Sequence, residues 1–231
     1  IKPESSGWLR IFFGESGSMM RILGLSVVWL GLLCASLATT ASDGVSQAPD
    51  KKEGERVYQG KCARCHGEAG QGGSSGKYPR LAGMPEGYIS QQLRSFRDRK
   101  RRNKPMIPIF KSGALRDGHI DAVAAYLAGL PVPSVAELDV PAGPKGDLEL
   151  GEELYVTDCA LCHGFDGKGK ENTDNPPVVQ QYPSYIIKQM VDFRNGKRWH
   201  EYGEQLFEEA EPDELDAMVG YILTLNHAIH P

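Results

Sequence analysis

The sequence predicts an all-α protein made of two tandem copies of one small helical domain. A shift of 97 residues superposes the two halves, so that Gly54 and Cys62 fall on Gly151 and Cys159. Such self-similarity is the signature of an internal duplication. Apolar residues recur at helical spacing in each half, and no alternating pattern long enough for a strand competes with them.

Each copy contains one Cys-x-x-Cys-His pentapeptide, at residues 62–66 and 159–163. Two thiols three positions apart can form thioether bonds to haem vinyl groups, while the following histidine binds the iron from the same turn. A zinc site or a redox disulfide also uses this cysteine spacing. Neither needs a histidine directly after the second cysteine, yet that histidine is present in both pentapeptides. The sequence therefore predicts two covalently bound haem c groups, attached through Cys62, Cys65, Cys159 and Cys162.

Both copies are expected to have the same order of helices. In the first copy a helix around residues 53–60 runs into the pentapeptide, a glycine-rich loop follows, and further helices lie near 85–99 and around Ile120 to Leu127. Domains of about 80 residues are small for a core of their own, so each haem is expected to supply much of the core.

The amino-terminal part of the chain is expected to lie outside the folded domains. Arg21, an apolar run and the small residues that follow it read as a secretory signal peptide, with an uncleaved anchor as the alternative. The predicted segments are an upstream stretch (1–18), the signal peptide (19–41), a first repeat (49–131), a proline-rich linker (132–145) and a second repeat (146–231). Export predicts a periplasmic protein.

Charge is divided between the two halves, although the net charge is only −4. Residues 51–130 carry 16 Lys and Arg against 7 Asp and Glu, whereas residues 145–231 carry 7 against 17. A run of cations from Arg94 to Lys104 is expected on the surface, where it would favour an acidic partner. The alternative is that this run only neutralises the haem propionates and the acidic second repeat.

Two class I c-type haem domains in tandem, behind a signal peptide, resemble the dihaem cytochrome c4 family. The stretch Tyr78-Pro79-Arg80-Leu81-Ala82-Gly83, with Tyr88 and Gln91-Gln92-Leu93 after it, is especially similar to that family's first domain, and the resemblance runs from about Pro49 onward. It implies a periplasmic electron carrier or electron-transfer subunit whose two haem domains pack together. It also implies that the carbonyls of Pro79 and Pro176 accept hydrogen bonds from the ligand histidines.

The predicted iron ligands of haem 1 are His66 and Met106. The sixth ligand is expected from the loop between the second and last helices, which crosses the distal face in this fold, and Met106 lies in that loop. Met84 is the rival thioether, although it is close to the start of the preceding helix. Either methionine could instead fill the core.

The second repeat departs from this pattern. His163 is the predicted proximal ligand of haem 2, but no methionine occurs between Met190 and Met218. His200 is the strongest iron ligand in the distal loop and is the predicted sixth ligand, with a plain surface histidine as the alternative. His227 and His230 are weaker candidates.

These features predict an electron carrier without bond chemistry, in which the haems perform the redox step. The expected partners are redox proteins that dock by charge, with a membrane-bound oxidase or dehydrogenase complex also possible and no nucleic acid expected. Two alternatives stay open. One is a cytochrome subunit of a dehydrogenase or oxidase complex, and the other is a dihaem enzyme such as a peroxidase or thiosulfate dehydrogenase.

Overall fold

The structure is a computed structural model that describes residues 48–111, 113, 115–138, 143–200 and 204–228. The predicted upstream segment and signal peptide lie outside these residues. The described part is helical, with a single isolated β-bridge between Gly73 and Tyr78 and no strand. The predicted all-α fold is therefore confirmed.

The first repeat has the predicted order of helices, with one further short helix. Its helices are α1 (Lys51–Lys61), α2 (Ala63–His66), a 3-10 turn (Ser74–Gly76), α3 (Glu86–Arg97), α4 (Ile107–Phe110) and α5 (Asp117–Ala128). Asp50 begins α1 because its carboxylate accepts hydrogen bonds from the backbone N–H groups of Lys52 and Glu53.

The second repeat contains the same series. Its helices are α6 (Leu148–Leu154), a π-helical turn (Tyr155–Cys159), α7 (Ala160–His163), α8 (Pro183–Arg194), α9 (Glu204–Glu209) and α10 (Pro212–Ala228). Asp147 caps α6 through Glu149 and Leu150, 97 residues after Asp50 caps α1. The duplication thus extends to the start of each first helix.

In each repeat a glycine allows the first helix to cross the last helix closely. A Cβ atom added to Gly54 would lie 2.0 Å from the carbonyl oxygen of Ala122 in α5, and one added to Gly151 would lie 2.2 Å from that of Ala217 in α10. The crossings bury one apolar cluster per repeat, one around Tyr58 and Ile120 and the other around Tyr155, Leu215 and Met218.

Arg80 joins the two repeats. Its side chain is 1% exposed, and its guanidinium donates hydrogen bonds to the carbonyls of Gln180 (2.6 Å) and Val179 (3.2 Å). Its backbone N–H and carbonyl pair with the side-chain amide of Gln181 at 3.0 and 3.1 Å. Burial lowers the pKa of Arg80 to about 10, so it remains a cation at neutral pH.

The glycine crossing gives a stability prediction. Gly54→Ala should lower the free energy of unfolding by about 1–3 kcal/mol, because the added methyl group must push α1 away from α5. Gly60→Ala is the matched control in the same helix, since nothing lies within 4 Å of its added Cβ, and it should be neutral or stabilise by up to about 1 kcal/mol. Chemical denaturation of the haem-loaded variants measures both. Equal effects at the two glycines would contradict the close crossing.

Candidate haem sites

Each pentapeptide forms a single helical turn that directly follows the first helix. Cys62 ends α1 and begins α2, where the N–H of His66 bonds to the Cys62 carbonyl at 3.0 Å. Cys159 and His163 occupy the same positions around α7. Both thiols and the histidine of each pentapeptide therefore belong to one turn, as covalent haem attachment requires.

None of the four pentapeptide cysteines forms a disulfide. Burial raises the pKa of the Cys62 thiol to about 11 and that of Cys159 to about 12. Within the described residues, no three His, Cys, Asp or Glu side chains form a cluster that could hold a metal ion.

The histidine of each pentapeptide is oriented by a proline carbonyl. The Nδ1 atom of His66 lies 3.1 Å from the Pro79 oxygen, and that of His163 lies 2.8 Å from the Pro176 oxygen, each 13 residues along the chain. These are the hydrogen bonds that the sequence predicts. Because a carbonyl only accepts, Nδ1 carries the proton and Nε2 keeps a lone pair that is available to a metal ion. Burial lowers the pKa of both imidazoles, which favours this neutral form.

A buried tyrosine holds the end of each pentapeptide turn. The Tyr58 hydroxyl donates to the Gly67 carbonyl at 2.6 Å, and the Tyr155 hydroxyl donates to the Gly164 carbonyl at 2.6 Å. Both tyrosines are fully buried. Each bond fixes the residue that directly follows the pentapeptide histidine.

The distal side of the first repeat contains both candidate methionines. Met106 is partly buried at the start of α4, and Met84 is 5% exposed within the apolar cluster of its repeat. Both line the same cavity as His66.

The distal side of the second repeat brings the predicted histidine to the pentapeptide. The ring centroids of His200 and His163 lie 6.2 Å apart. Phe193 and Phe207 hold the His200 ring edge-on, with centroid distances of 4.8 and 5.5 Å. The side chains of His227 and His230, the weaker candidates, lie outside the described residues.

Sequence reasoning missed the aromatic pair behind each distal loop. Phe96 and Phe110 stack at 6.4 Å in the first repeat, and Phe193 and Phe207 pack at 5.0 Å in the second. The two pairs are related by the 97-residue shift, which was the signal available in the sequence. The duplication thus preserves the aromatic pair in both repeats, although the polar residue beside the pair differs.

Fewer cations of the run from Arg94 to Lys104 are exposed than the sequence suggests. Arg101 is only 7% exposed, so its assignment to a docking surface is wrong. Arg94 and Arg97 form ion pairs with Asp117, and Arg94 also pairs with Asp121. The exposed cations of this run are Arg99, Lys100, Arg102 and Lys104.

One continuous cavity connects the two pentapeptides. Its volume is about 1570 Å³, and its lining includes Cys62, His66, Cys159 and His163. A pocket for one small ligand usually measures about 300–1,000 Å³. The large apolar lining and the four cysteine and histidine positions fit two haems that meet across the contact between the repeats, and the class of protein defined here is a dihaem c-type protein.

Comparison with known proteins supports this class. A family model, "Cytochrome c", matches residues 51–131 and 148–226. A protein named thiosulfate dehydrogenase electron acceptor from Stutzerimonas stutzeri (strain A1501) is 32% identical over 201 residues, which cover 80% of this chain and 92% of that protein. Cytochrome c4 of Pseudomonas aeruginosa is 28% identical over 175 residues, covering 72% and 83% of the two chains.

Two solved structures share the architecture. Reduced recombinant cytochrome c4 from Pseudomonas stutzeri matches with a TM-score of 0.60 and 23% identity, covering 76% of this chain and 98% of that one. A thiosulfate dehydrogenase from Marichromatium purpuratum matches with a TM-score of 0.62 and 26% identity, covering 75% of this chain and 40% of that one. The chain belongs to the cytochrome c family, as a dihaem, cytochrome c4-like protein with two tandem class I domains and two covalently bound haem c groups.

The tyrosine hydrogen bonds give a matched pair of predictions. Tyr58→Phe and Tyr155→Phe should each lower the free energy of unfolding by about 0.5–1.5 kcal/mol, because a glycine carbonyl loses its donor. Tyr221→Phe is the control, since its hydroxyl makes only a 3.5 Å contact with exposed Glu152, and it should be close to neutral. Denaturation of the haem-loaded proteins tests this. If Tyr221→Phe cost as much as the other two, the hydroxyl bonds would not be the cause.

Proposed function

We propose that this dihaem cytochrome is a periplasmic electron carrier with unequal haems, haem 1 bound by His66 and Met106 and haem 2 by His163 and His200. The haems supply one-electron redox chemistry, and the chain sets the ligands, the distance and the docking surfaces. The periplasmic location rests on the signal peptide that the sequence predicts. Within the described residues, no helix has both the length and the apolar composition needed to cross a membrane.

The short separation between the rings of His200 and His163 is the observation that carries this proposal. Two imidazole nitrogens on opposite sides of one metal ion, each about 2 Å from it, put the ring centroids about 6 Å apart. The separation of 6.2 Å fits that arrangement. The aromatic contacts of Phe193 and Phe207 favour a ring held in one orientation rather than a surface histidine.

Met106 is the better candidate for haem 1 because of its surroundings. It lies at the start of α4, in the loop that leads away from α3, whereas Met84 packs against the apolar cluster. Methionine with histidine is the usual ligand set of c-type electron carriers and gives a higher potential than two histidines. Electrons would therefore move from haem 2 to haem 1.

The ligand proposal makes a specific spectroscopic prediction. His200→Ala should give a high-spin signal from haem 2 while haem 1 stays low-spin, and Met106→Ala should do the reverse. Met84→Leu is the control for the rival thioether, because it preserves volume and should leave both haems low-spin. Absorption and low-temperature EPR spectra of the oxidised proteins measure the outcome. An unchanged His200→Ala spectrum, or a high-spin haem in Met84→Leu, would overturn the corresponding assignment.

The electron donor that the comparisons favour is a thiosulfate dehydrogenase. One relative is named as the electron acceptor of that enzyme, and a solved thiosulfate dehydrogenase contains a region similar to most of this chain. The acidic charge of the second repeat favours a donor with a basic surface, and its exposed described carboxylates include Glu208, Glu209 and Glu211. The exposed cations of the first repeat favour an acidic acceptor.

Stopped-flow reduction tests the donor and its docking surface. Thiosulfate with purified thiosulfate dehydrogenase should reduce the cytochrome, and the rate should fall as salt rises. Glu208→Gln, Glu209→Gln and Glu211→Gln together should slow this step several-fold, while Lys100→Gln, Arg102→Gln and Lys104→Gln together should leave it unchanged. Reduction by thiosulfate without the dehydrogenase would instead show an enzyme. No reduction in either mixture would reject this donor.

A further inference from the structure

Exposed apolar side chains are concentrated in the second repeat. Among the described residues, six large hydrophobic side chains are exposed, and Val132, between the repeats, is one of them. The other five all belong to the second repeat: Leu148, Val156, Leu161, Phe165 and Trp199. Single exposed apolar residues are normal on soluble proteins, so their number alone decides nothing. Their restriction to one of two duplicated domains is the feature that needs a physical reason.

The first repeat has polar side chains at the same five positions. The 97-residue shift gives as counterparts, in the same order, Lys51, Gln59, Arg64, Glu68 and Arg102. All five counterparts are exposed. The fold therefore exposes these positions in both copies, and only the second copy has apolar side chains at them.

Three of the apolar side chains lie beside the histidines of the second haem site. Leu161 is two residues before His163, Phe165 is two residues after it, and Trp199 directly precedes His200. Because the rings of His163 and His200 are 6.2 Å apart, the segments that carry the three side chains are adjacent. We call Leu161, Phe165 and Trp199 the apolar rim. Their side chains are 75%, 70% and 59% exposed.

The apolar rim lies at an opening of the haem cavity. Leu161 and Trp199 line the cavity that contains both pentapeptides, although more than half of each residue is exposed. A side chain that lines a cavity and is also exposed lies where the cavity opens. The first repeat has Arg64 and Arg102 at these two positions, and burial of an unpaired charge against a haem would be costly. Both positions therefore face solvent when haem is bound.

Carboxylates surround the second pentapeptide. Residues 148–166 contain no Lys or Arg, and their five carboxylates are all exposed: Glu149, Glu152, Glu153, Asp158 and Asp166. The equivalent residues 51–69 contain five cations and three carboxylates. Lys168 pairs with Asp166 at 3.6 Å, and Lys197 is two residues from Trp199, so carboxylates still outnumber cations around the rim. An anionic surround attracts a cationic partner and increases its rate of association.

We infer that the apolar rim is the contact surface through which an electron-donor protein reaches haem 2, and that the donor presents exposed apolar side chains surrounded by lysine or arginine. This inference deepens the proposed function, since it rests on the chain being an electron carrier. One electron passes from the donor to ferric haem 2, which becomes ferrous, and no bond is made or broken.

The two parts of this surface have separate tasks. Aromatic side chains are enriched at the centre of protein interfaces, where they exclude water and contribute much of the affinity. Surrounding charges mainly raise the association rate and select the partner. The carboxylates therefore guide the donor to the second repeat, and the rim holds it against the opening of the cavity. The first repeat offers only polar side chains at the equivalent place, so a partner of haem 1 binds there through charges.

Isothermal titration calorimetry of the oxidised, haem-loaded chain with thiosulfate dehydrogenase, in the absence of thiosulfate, tests the rim without turnover. Trp199→Gln should raise Kd by about fivefold or more, as is usual for an interface tryptophan, and Leu161→Gln should change Kd in the same direction. Both variants should make the heat-capacity change of binding less negative, because less apolar surface is buried. Leu148→Gln is the matched control, since it removes a 49% exposed leucine at the start of α6, and it should leave Kd unchanged.

Salt separates the rim from the carboxylates. Rising ionic strength should weaken binding of the unaltered chain, because it screens the charges. The fold-change caused by Trp199→Gln should persist at high salt. Glu152→Gln combined with Asp158→Asn should weaken binding at low salt and have little effect at high salt. A Trp199→Gln effect that disappeared at high salt would contradict an apolar contact.

Two further results would overturn the inference. One is an unchanged Kd in both rim variants, or an equal change in Leu148→Gln. The other is a dimer of the unaltered chain, seen by sedimentation, that Trp199→Gln dissociates, because a second copy would then cover the rim. Since Trp199 adjoins His200, EPR spectra of the variants must match the unaltered protein. If Trp199→Gln changes the spectrum, Leu161→Gln decides.

Failure of the proposed donor is distinguishable from failure of the rim. If thiosulfate dehydrogenase does not bind the unaltered chain, that donor is rejected. The same titrations with mitochondrial cytochrome c, a basic redox protein, then decide the rim. Weaker binding of both rim variants, with Leu148→Gln unchanged, would support the inference. Binding that does not depend on the rim, or no binding at all, would overturn it.

Discussion

The hydrogen bond between each pentapeptide histidine and a proline carbonyl is the interaction on which the architecture of both candidate haem sites depends. It selects the tautomer whose Nε2 lone pair is available to a metal ion, and it ties the pentapeptide turn to a loop 13 residues further on. In the first repeat that loop continues directly from Pro79 into Arg80, whose guanidinium crosses to Val179 and Gln180. Val179 and Gln180 come shortly after Pro176 in the chain. The loop that contains Pro79 and the loop that contains Pro176 are therefore in contact with each other.

Duplication has preserved one side of each haem site and altered the other. The pentapeptide turn, the tyrosine that holds it and the proline carbonyl recur with nearly the same geometry in both repeats. The aromatic pair behind the distal loop also recurs, but His200 lies against it in the second repeat, at a place where the first repeat has Asn103 and the candidate Met106 follows three residues later. The proposed ligand sets would give the two haems different potentials without a change of fold, because the distal loop varies independently of the helices.

The sequence predicts the parts of this structure that depend on local patterns. Helical spacing, the two pentapeptides and the repeated prolines indicated the all-α fold, the cofactors and the histidine hydrogen bonds. Arg101 shows the limit of that reasoning. Within a run of seven cations from Arg94 to Lys104 it looks like a surface residue, and only the packing of one repeat against the other buries it. The short helices α4 and α9 and the π-helical turn before Cys159 were not predicted, because segments of four to six residues show too little periodicity.

The central claim is that one duplicated fold holds two irons with different distal ligands. Near-infrared magnetic circular dichroism of the unaltered, fully oxidised protein measures this most directly. Its charge-transfer bands lie at different energies for a haem with histidine and methionine ligands and for a haem with two histidine ligands. We expect two low-spin bands of similar intensity, one from a histidine–methionine haem and one from a bis-histidine haem. A single band accounting for both haems, or a high-spin haem in the unaltered protein, would contradict the account.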